Sequence, residues 1–361
     1  MKIKKAILTG GGRATRLRPI TNTINKHLIP LANKPMIYYA IEKAVAAGVQ
    51  EIFINVNPEE TQLQRQVGDG GHWGVSIKFF VQTGGPRGIA HVVKCAEKFI
   101  GSDSFMFYLS DNMILGSLQP FFDQFVSEKA DAMFAFAAVP DPERFGVPVF
   151  NSEKKLIDVI EKPPLPACNL AQTGIYLYGP KLFFKAFDNI EPSERGEYEI
   201  SSINSYLIKN NYRISHREIT GWWKDTGKPN DLLVANSLLL SERAPETYKT
   251  EGTIAPGATL AGPVQIGLGT TVNANSKIIG PAMIAANCTL ENCTIGPNVT
   301  VAPGCTLRDC TLANSIILSS TTIDSRVSLT DSIIGEAVNI TSAPSGVAES
   351  YILGDHTTLK I

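Results

Sequence analysis

The sequence predicts an α/β protein: a Rossmann-like, mostly parallel sheet followed by a left-handed parallel β-helix. Three observations carry this. Strand and helix signals alternate over the first 240 residues. An aliphatic residue then recurs every six positions from Ile254. A glycine turn, "TGGGRATRLRP", closes the first apolar run.

"KAILTG" is a short apolar strand ended by glycine. "KPMIYYAIEKAVAAGV" has apolar residues at helical spacing, with Pro35 near its start and Gly48 past its end. "EIFINVN", "SIKFFVQ", "SFMFYLS" and "AMFAFAAV" read as further strands, with "GIAHVVKCAEKFIG" as a helix between the second and third of these. Parallel sheets of this kind bind ligands beyond the carboxyl ends of their strands. The glycine turn and Asp111 in "FYLSDN" both lie at such ends.

After residue 250 aliphatics fall at Ile254, Leu260, Ile266, Val272, Ile278, Ile284 and Leu290. The step slips by one to Ile295, runs through Val301 and Leu307, slips to Leu312, and continues through Ile323, Leu329, Ile334 and Ile340. Three hexapeptides per coil, about 18 residues, bury their aliphatics by stacking on the next coil. The polar stretch 240–252 is the expected linker. The domains are thus 1–240, a linker at 241–252, and 253–361.

The chain has 361 residues, 33 basic against 34 acidic, for a net charge of −1. This balance argues against a nucleic-acid or membrane-surface binder. No segment reaches the ~18 apolar residues of a membrane span, and the apolar run at the N-terminus is shorter than a signal peptide is expected to have. A cytoplasmic protein is expected. Cys288, Cys293, Cys305 and Cys310 follow a C-x4-C-x11-C-x4-C pattern. Structural zinc uses tighter pairs, and the one-coil separation predicts stacked small residues instead.

Gly10, Gly11 and Gly12 would let backbone N–H groups approach phosphate oxygens. Arg13, Arg16 and Arg18 can neutralise charge with forks that match phosphate geometry. No Gly-Lys-Ser/Thr follows, so the turn is not a P-loop. Lys26, Asp111, Asp225 in "GWWKDTGKP", and Glu161 with Lys162 in "VIEKPP" are ambiguous one by one.

Together they resemble a family. "GGGRATRLRP...NKHLIPLANKPMI", "FYLSDN", "GVPVF", "IEKPP", "NLAQTGIYLY", "RGEYEI" and "GWWKDTGKP" follow the motif order of sugar-1-phosphate nucleotidylyltransferases, most closely the long glucose-1-phosphate thymidylyltransferases that carry a C-terminal β-helix. The resemblance implies that Gly10, Gly11, Gly12 and Arg16 hold a nucleoside triphosphate with Lys26 on its phosphates. Gln82 would read a pyrimidine edge, with Gly88 close to the base. Asp111 and Asp225 would bind Mg²⁺. Gly146, Glu161, Asn169, Thr173 and Glu197 would line a hexose pocket, with Lys162 and Arg195 on the sugar phosphate. The implied partners are dTTP, or UTP, and glucose 1-phosphate, with a homo-oligomer built through the β-helix.

The chain departs from the family pattern at several points: a glycine turn one residue longer than usual, Ala14 where glycine is common, one extra residue in "QTGGPRGIAH", Ser110 for glycine and Ser202 for aspartate. Two other readings compete. One is a silent nucleotide-sugar-sensing subunit, against which Arg16, Lys26, Asp111, Lys162 and Asp225 are all present. The other is an acetyltransferase in the β-helix, which would need a histidine base. Only His356 lies past residue 250.

Overall fold

The computed structural model describes residues 2–341 and 348–360. Packing divides the chain into two compact units. The first comprises Met1–Gly12 and Ile37–Lys224; the second comprises Arg13–Met36 and Asp225–Ile361. The partition at 240–252 follows chain order, whereas this one follows packing. The chain passes between the units just after the third glycine, so Arg16 and Lys26 pack with the β-helix unit.

The first unit is built on seven strands: β1 (Lys5–Thr9), β2 (Glu51–Val56), β3 (Ser76–Val81), β4 (Phe105–Tyr108), β5 (Ala132–Ala138), β6 (Leu170–Tyr178) and β7 (Ile214–Glu218). Their order across the sheet is β7-β5-β6-β4-β1-β2-β3. β1 is parallel to β2 and β4, and β2 to β3. Only β6 runs against its neighbours. The expected mostly parallel sheet is therefore present, with one reversed strand. β4 is buried along its whole length, which explains its unbroken apolar run "FMFY". Phe105, Phe107, Phe134, Tyr176, Tyr178 and Phe183 pack around it in one core.

β6 carries an irregularity: Gln172 faces Phe136, but the next paired residue, Tyr176, faces Phe134. The bulge re-aims the polar residues at its start. A separate antiparallel pair joins Gly146–Phe150 to Leu156–Glu161, with Gly146 opposite Glu161.

The second unit's residues after 252 form three all-parallel sheets of seven, six and six strands, the arrangement of a left-handed β-helix. Thr253, Thr271 and Thr289 stack in register, 18 residues apart. Ile266, Val272, Ile278, Ile284, Leu290 and Ile295 are fully buried in a continuous core. Burying such a side chain contributes roughly 1.5–3 kcal/mol, so each coil is stabilised by the next.

The four late cysteines are buried and stacked. Thr271 and Thr289 donate their backbone N–H groups to the carbonyls of Cys288 and Cys305, the same place on successive coils. Lys277 and Thr294 do the same for Cys293 and Cys310. Burial pushes the Cys293 thiol up to about 11 and the Cys310 thiol well above the ordinary cysteine value, which opposes at these two positions the thiolate a metal requires. The expected linker is ordered: Arg243 Nε donates to Thr247 Oγ1 at 2.9 Å, and the Tyr248 hydroxyl donates to the Leu240 carbonyl at 2.6 Å. Among the described residues no helix is long and apolar enough to cross a membrane.

Candidate functional site

The four parallel strands β3-β2-β1-β4 end at one edge of the sheet. There the chain places Gln82, then Asn55 and Asn57, then Gly10–Gly12, then Asp111. The glycine turn is held by its neighbour strand. Gly10 N–H donates to Asn55 Oδ1 at 3.1 Å, and Gly12 N–H to Asn57 Oδ1 at 3.1 Å. Asn57 Nδ2 returns a bond to the Gly12 carbonyl, also at 3.1 Å. Two of the three amides expected to face phosphate are thus engaged by asparagine side chains, and these fix the turn. A Cβ on Gly10 would come within 2.6 Å of Leu63 and 2.8 Å of the Asn55 carbonyl, so no side chain fits there. The asparagines were legible as two polar residues interrupting the end of "EIFINVN".

Asp111 is positioned by Asn112, which is 3% exposed. Asn112 Nδ2 donates to Asp111 Oδ1 at 3.0 Å. Its Oδ1 accepts from Gly174 N–H at 3.0 Å and from the Trp223 indole N–H at 2.9 Å. The bulge in β6 delivers Gly174 to this bond. Trp223 is therefore part of the scaffold that orients a carboxylate, beyond simple packing.

Gln82 and Gly88 meet: Gln82 Nε2 donates to the Gly88 carbonyl at 3.3 Å and contacts His91 Nδ1 at 3.0 Å. Burial, and then Arg87, holds His91 below the ordinary histidine range. Gly88 has φ 93°, and a Cβ there would lie 2.6 Å from the Tyr198 carbonyl and 3.0 Å from Glu197 Cβ. Gly88 thereby brings Gln82 and Glu197 to one place.

Glu161, Lys162, Arg195 and Glu197 form a charged cluster. Glu161 Oε2 accepts from Ser201 Oγ at 2.9 Å, and Glu161 Oε1 lies 3.4 Å from Lys162 Nζ and 3.6 Å from Arg195. Arg195 also reaches Glu197 at 3.8 Å and Glu199 at 2.7 Å. Glu199, and next the other carboxylates, raises the Arg195 guanidinium further. Three carboxylates against two cations leave this cluster net negative. Lys162 sits at φ 44°, a left-handed conformation that costs roughly 1–3 kcal/mol and often marks a functional position. Asn169 is exposed, and its carbonyl accepts from Val139 N–H at 2.9 Å. Thr173 is fully buried and donates its hydroxyl to the Ala135 carbonyl at 3.0 Å, so that hydroxyl serves the bulge.

In the second unit, Gly227 lies between Asp225 and Arg16: a Cβ there would be 3.0 Å from Asp225 Oδ2 and 3.6 Å from Arg16 Nη2. Ala14 adopts φ 43°, ψ 39°, the left-handed region where glycine is more usual. Lys26 is half-buried and opens a short helical turn capped by Asn25, whose Oδ1 accepts from His27 N–H at 2.9 Å. The β-helix and the helix Pro229–Ser241 before it both bond to this segment. Asn33 Nδ2 donates to the Met283 and Val301 carbonyls at 3.2 and 3.1 Å. Ala32 N–H donates to Asn236 Oδ1 at 2.8 Å, and Thr23 Oγ1 donates to Asp355.

Comparison with known proteins accounts for both halves. The nucleotidyl transferase family matches residues 5–242, and the GMPPB C-terminal domain matches residues 278–360. A low-salt glycan biosynthesis nucleotidyltransferase, Agl11, of Haloferax volcanii is 36% identical over 99% of this chain and 100% of its own. A glucose-1-phosphate thymidylyltransferase of Streptomyces griseus is 35% identical over 99% of both chains. A Bacillus anthracis structure in complex with sucrose, named provisionally as a glucose-1-phosphate thymidylyltransferase, is 37% identical. It has a TM-score of 0.61 and covers 65% of this chain and 94% of its own. With a family match across the whole first half and relatives matched end to end, the chain belongs to the nucleotidyl transferase family and is a nucleotidyltransferase enzyme.

Proposed function

We propose that the protein transfers a nucleotidyl group from dTTP to glucose 1-phosphate, giving dTDP-glucose and pyrophosphate with Mg²⁺. The observation that carries this is the shared strand edge on which Gln82, the Asn-braced glycine turn and Asp111 succeed one another. A triphosphate laid along that edge would meet base-reading, phosphate-holding and metal-holding groups in turn.

The attacking group is a sugar-phosphate oxygen. It is already anionic near neutrality, because a phosphate monoester has a second pKa of about 6. No general base is required. The barrier is repulsion between two anions and charge growing on the departing pyrophosphate, which positioning and cation clamps reduce. Arg16 and Lys26 would neutralise the triphosphate, and Lys162 and Arg195 the sugar phosphate. Arg195 meets its three carboxylates through Nη2, so its other N–H donors would take the phosphate oxygens.

Asp111 and Asp225 would hold Mg²⁺, which when bound neutralises charge on the phosphate oxygens. Mg²⁺ takes one or two carboxylates and fills its shell with phosphate and water, so two aspartates supply the kind of ligand it needs. Asn112 would keep the Asp111 carboxylate oriented. The stacked coils of the β-helix are the surface through which a homo-oligomer would assemble, and light scattering reads that directly.

The test is purified protein with Mg²⁺, several nucleoside triphosphates and several hexose 1-phosphates, read by product mass. dTDP-glucose as the main product is the expected result. Preference for UTP would reassign the base, since a pocket separates a methyl by only ~1–3 kcal/mol. Asp225→Asn should lower kcat by at least about 100-fold while the protein stays folded. Full activity in that variant refutes the metal assignment.

A further inference from the structure

An amide side chain can present either of two opposite ends to a base. One end accepts hydrogen bonds through its oxygen, and the other donates two through its nitrogen. Which end of Gln82 faces a nucleotide depends on what holds the amide from behind. Here the Gln82 nitrogen is engaged twice, by the Gly88 carbonyl at 3.3 Å and by His91 Nδ1 at 3.0 Å.

Those two contacts fix the proton positions. The Gly88 carbonyl can only accept, so the Gln82 nitrogen and not its oxygen points toward it. An amide nitrogen does not accept, so His91 Nδ1 must be the acceptor of the second bond, and the imidazole carries its proton on its other nitrogen. That arrangement requires a neutral ring. Burial and Arg87, which hold His91 below the ordinary histidine range, favour it. The ring is also held in place. It stacks on Tyr198 with centroids 6.2 Å apart and planes 24° apart, and its centroid lies 6.3 Å from that of Phe187. Tyr198 is tied to the same turn: its N–H donates to the Arg87 carbonyl at 2.8 Å, and its carbonyl accepts from Ala90 N–H at 3.1 Å.

With both amide hydrogens spent, Gln82 has one group left for a base, the acceptor Oε1. Thymine and uracil carry an N3–H donor at the centre of their pairing edge. Cytosine carries an unprotonated N3 there, an acceptor that Oε1 would repel. We propose that His91 is a positioning residue, whose Nδ1 locks the Gln82 amide with Oε1 toward the nucleotide, so that the site admits a base bearing an N3–H and rejects cytosine. This rests on the functional reading above, in which Gln82 reads the base.

The test is calorimetric binding of dTTP, dUTP and dCTP, each with Mg²⁺, to wild type, His91→Phe and His91→Asn. Phenylalanine keeps a ring against Tyr198 and removes the acceptor. Asparagine gives up the ring but restores an acceptor, since its Oδ1 stands as far along the side chain as histidine Nδ1. Wild type should bind dTTP and dUTP at least about 10-fold more tightly than dCTP. His91→Phe should shrink both preferences by about 3- to 10-fold, the scale of one hydrogen bond. His91→Asn should recover them to within about 2-fold of wild type. A purely structural role would weaken all three nucleotides alike and would not be rescued by asparagine. Equal weakening, unchanged preferences in His91→Phe, His91→Asn as poor as His91→Phe, or a wild type indifferent to cytosine each overturns the inference and leaves the functional reading intact. Wild type that binds no nucleotide overturns that reading, and the inference with it.

Discussion

Gly88→Ala isolates one close approach and asks whether the nucleotide-facing turn depends on it. Gly88 has φ 93° and ψ 170°, a region open essentially to glycine alone, so alanine there costs roughly 1–3 kcal/mol of strain. The new Cβ also meets backbone atoms that cannot rotate away: the Tyr198 carbonyl at 2.6 Å and the Tyr198 nitrogen at 2.8 Å. Normal carbon contacts lie near ~3.5 Å, so the two segments must part. Two hydrogen bonds join them, Tyr198 N–H to Arg87 carbonyl at 2.8 Å and Ala90 N–H to Tyr198 carbonyl at 3.1 Å. Each contributes about 0.5–1.5 kcal/mol.

The combined penalty is about 2–6 kcal/mol, from the strain and the two weakened bonds. Part of it is relieved by local opening, which shifts the Gly88 carbonyl away from Gln82 and Glu197 away from both. Urea unfolding should show a lower midpoint, and initial rates should show a KM for the nucleotide raised about 10- to 100-fold, or ~1.4–2.8 kcal/mol. Gly74→Ala is the control: φ is 70°, yet no atom lies within 4 Å of its Cβ, so only the smaller strain term applies. A Gly88→Ala protein with wild-type midpoint and wild-type KM would refute the claim that this contact sets the turn.

Two further outcomes follow from bonds described above. Asn112→Ala leaves the Gly174 and Trp223 N–H groups without their acceptor; stability should fall by about 2–4 kcal/mol and kcat by at least about 10-fold, whereas Trp223→Phe should show about half the stability loss, both read by urea titration and initial rates. Asp355→Ala removes the acceptor of Thr23 on the segment that carries Arg16; trypsin should cut faster after Arg13 or Arg16, with kcat/KM down about 3- to 10-fold, and unchanged cleavage would contradict a supporting role for the last coil.

Much of the architecture was written in periodicity. The six-residue aliphatic step predicts the stacked coils because only one face of each short strand points inward, and Ile266, Val272, Ile278 and Ile284 occupy that face. Alternating strand and helix signals likewise predict a mostly parallel sheet whose strand ends carry Gly10–Gly12 and Asp111. These are local regularities, and local regularity is visible in order along a chain. The reversal of β6 leaves no such trace, since a strand buried along nearly its whole length reads the same in either direction.

The partners of the site residues belong to a different level. Asn55 and Asn57 lie 45 residues from the glycines they brace, and Trp223 lies 111 from the asparagine it orients. No spacing rule links them; they meet because β1 neighbours β2 and because a bulge in β6 turns Gly174 toward Asn112. The family resemblance implies Arg195 as a phosphate ligand, but only the fold surrounds it with Glu161, Glu197 and Glu199. His91 reads as one scattered histidine, and only the fold brings its Nδ1 to the Gln82 amide. The sequence by itself determined which elements form and which chemical groups stand at their ends, because periodicity and turn chemistry act over a few residues. Tertiary structure alone decided which of those groups touch, because hydrogen bonding and burial depend on distance in space, and strand order sets that distance.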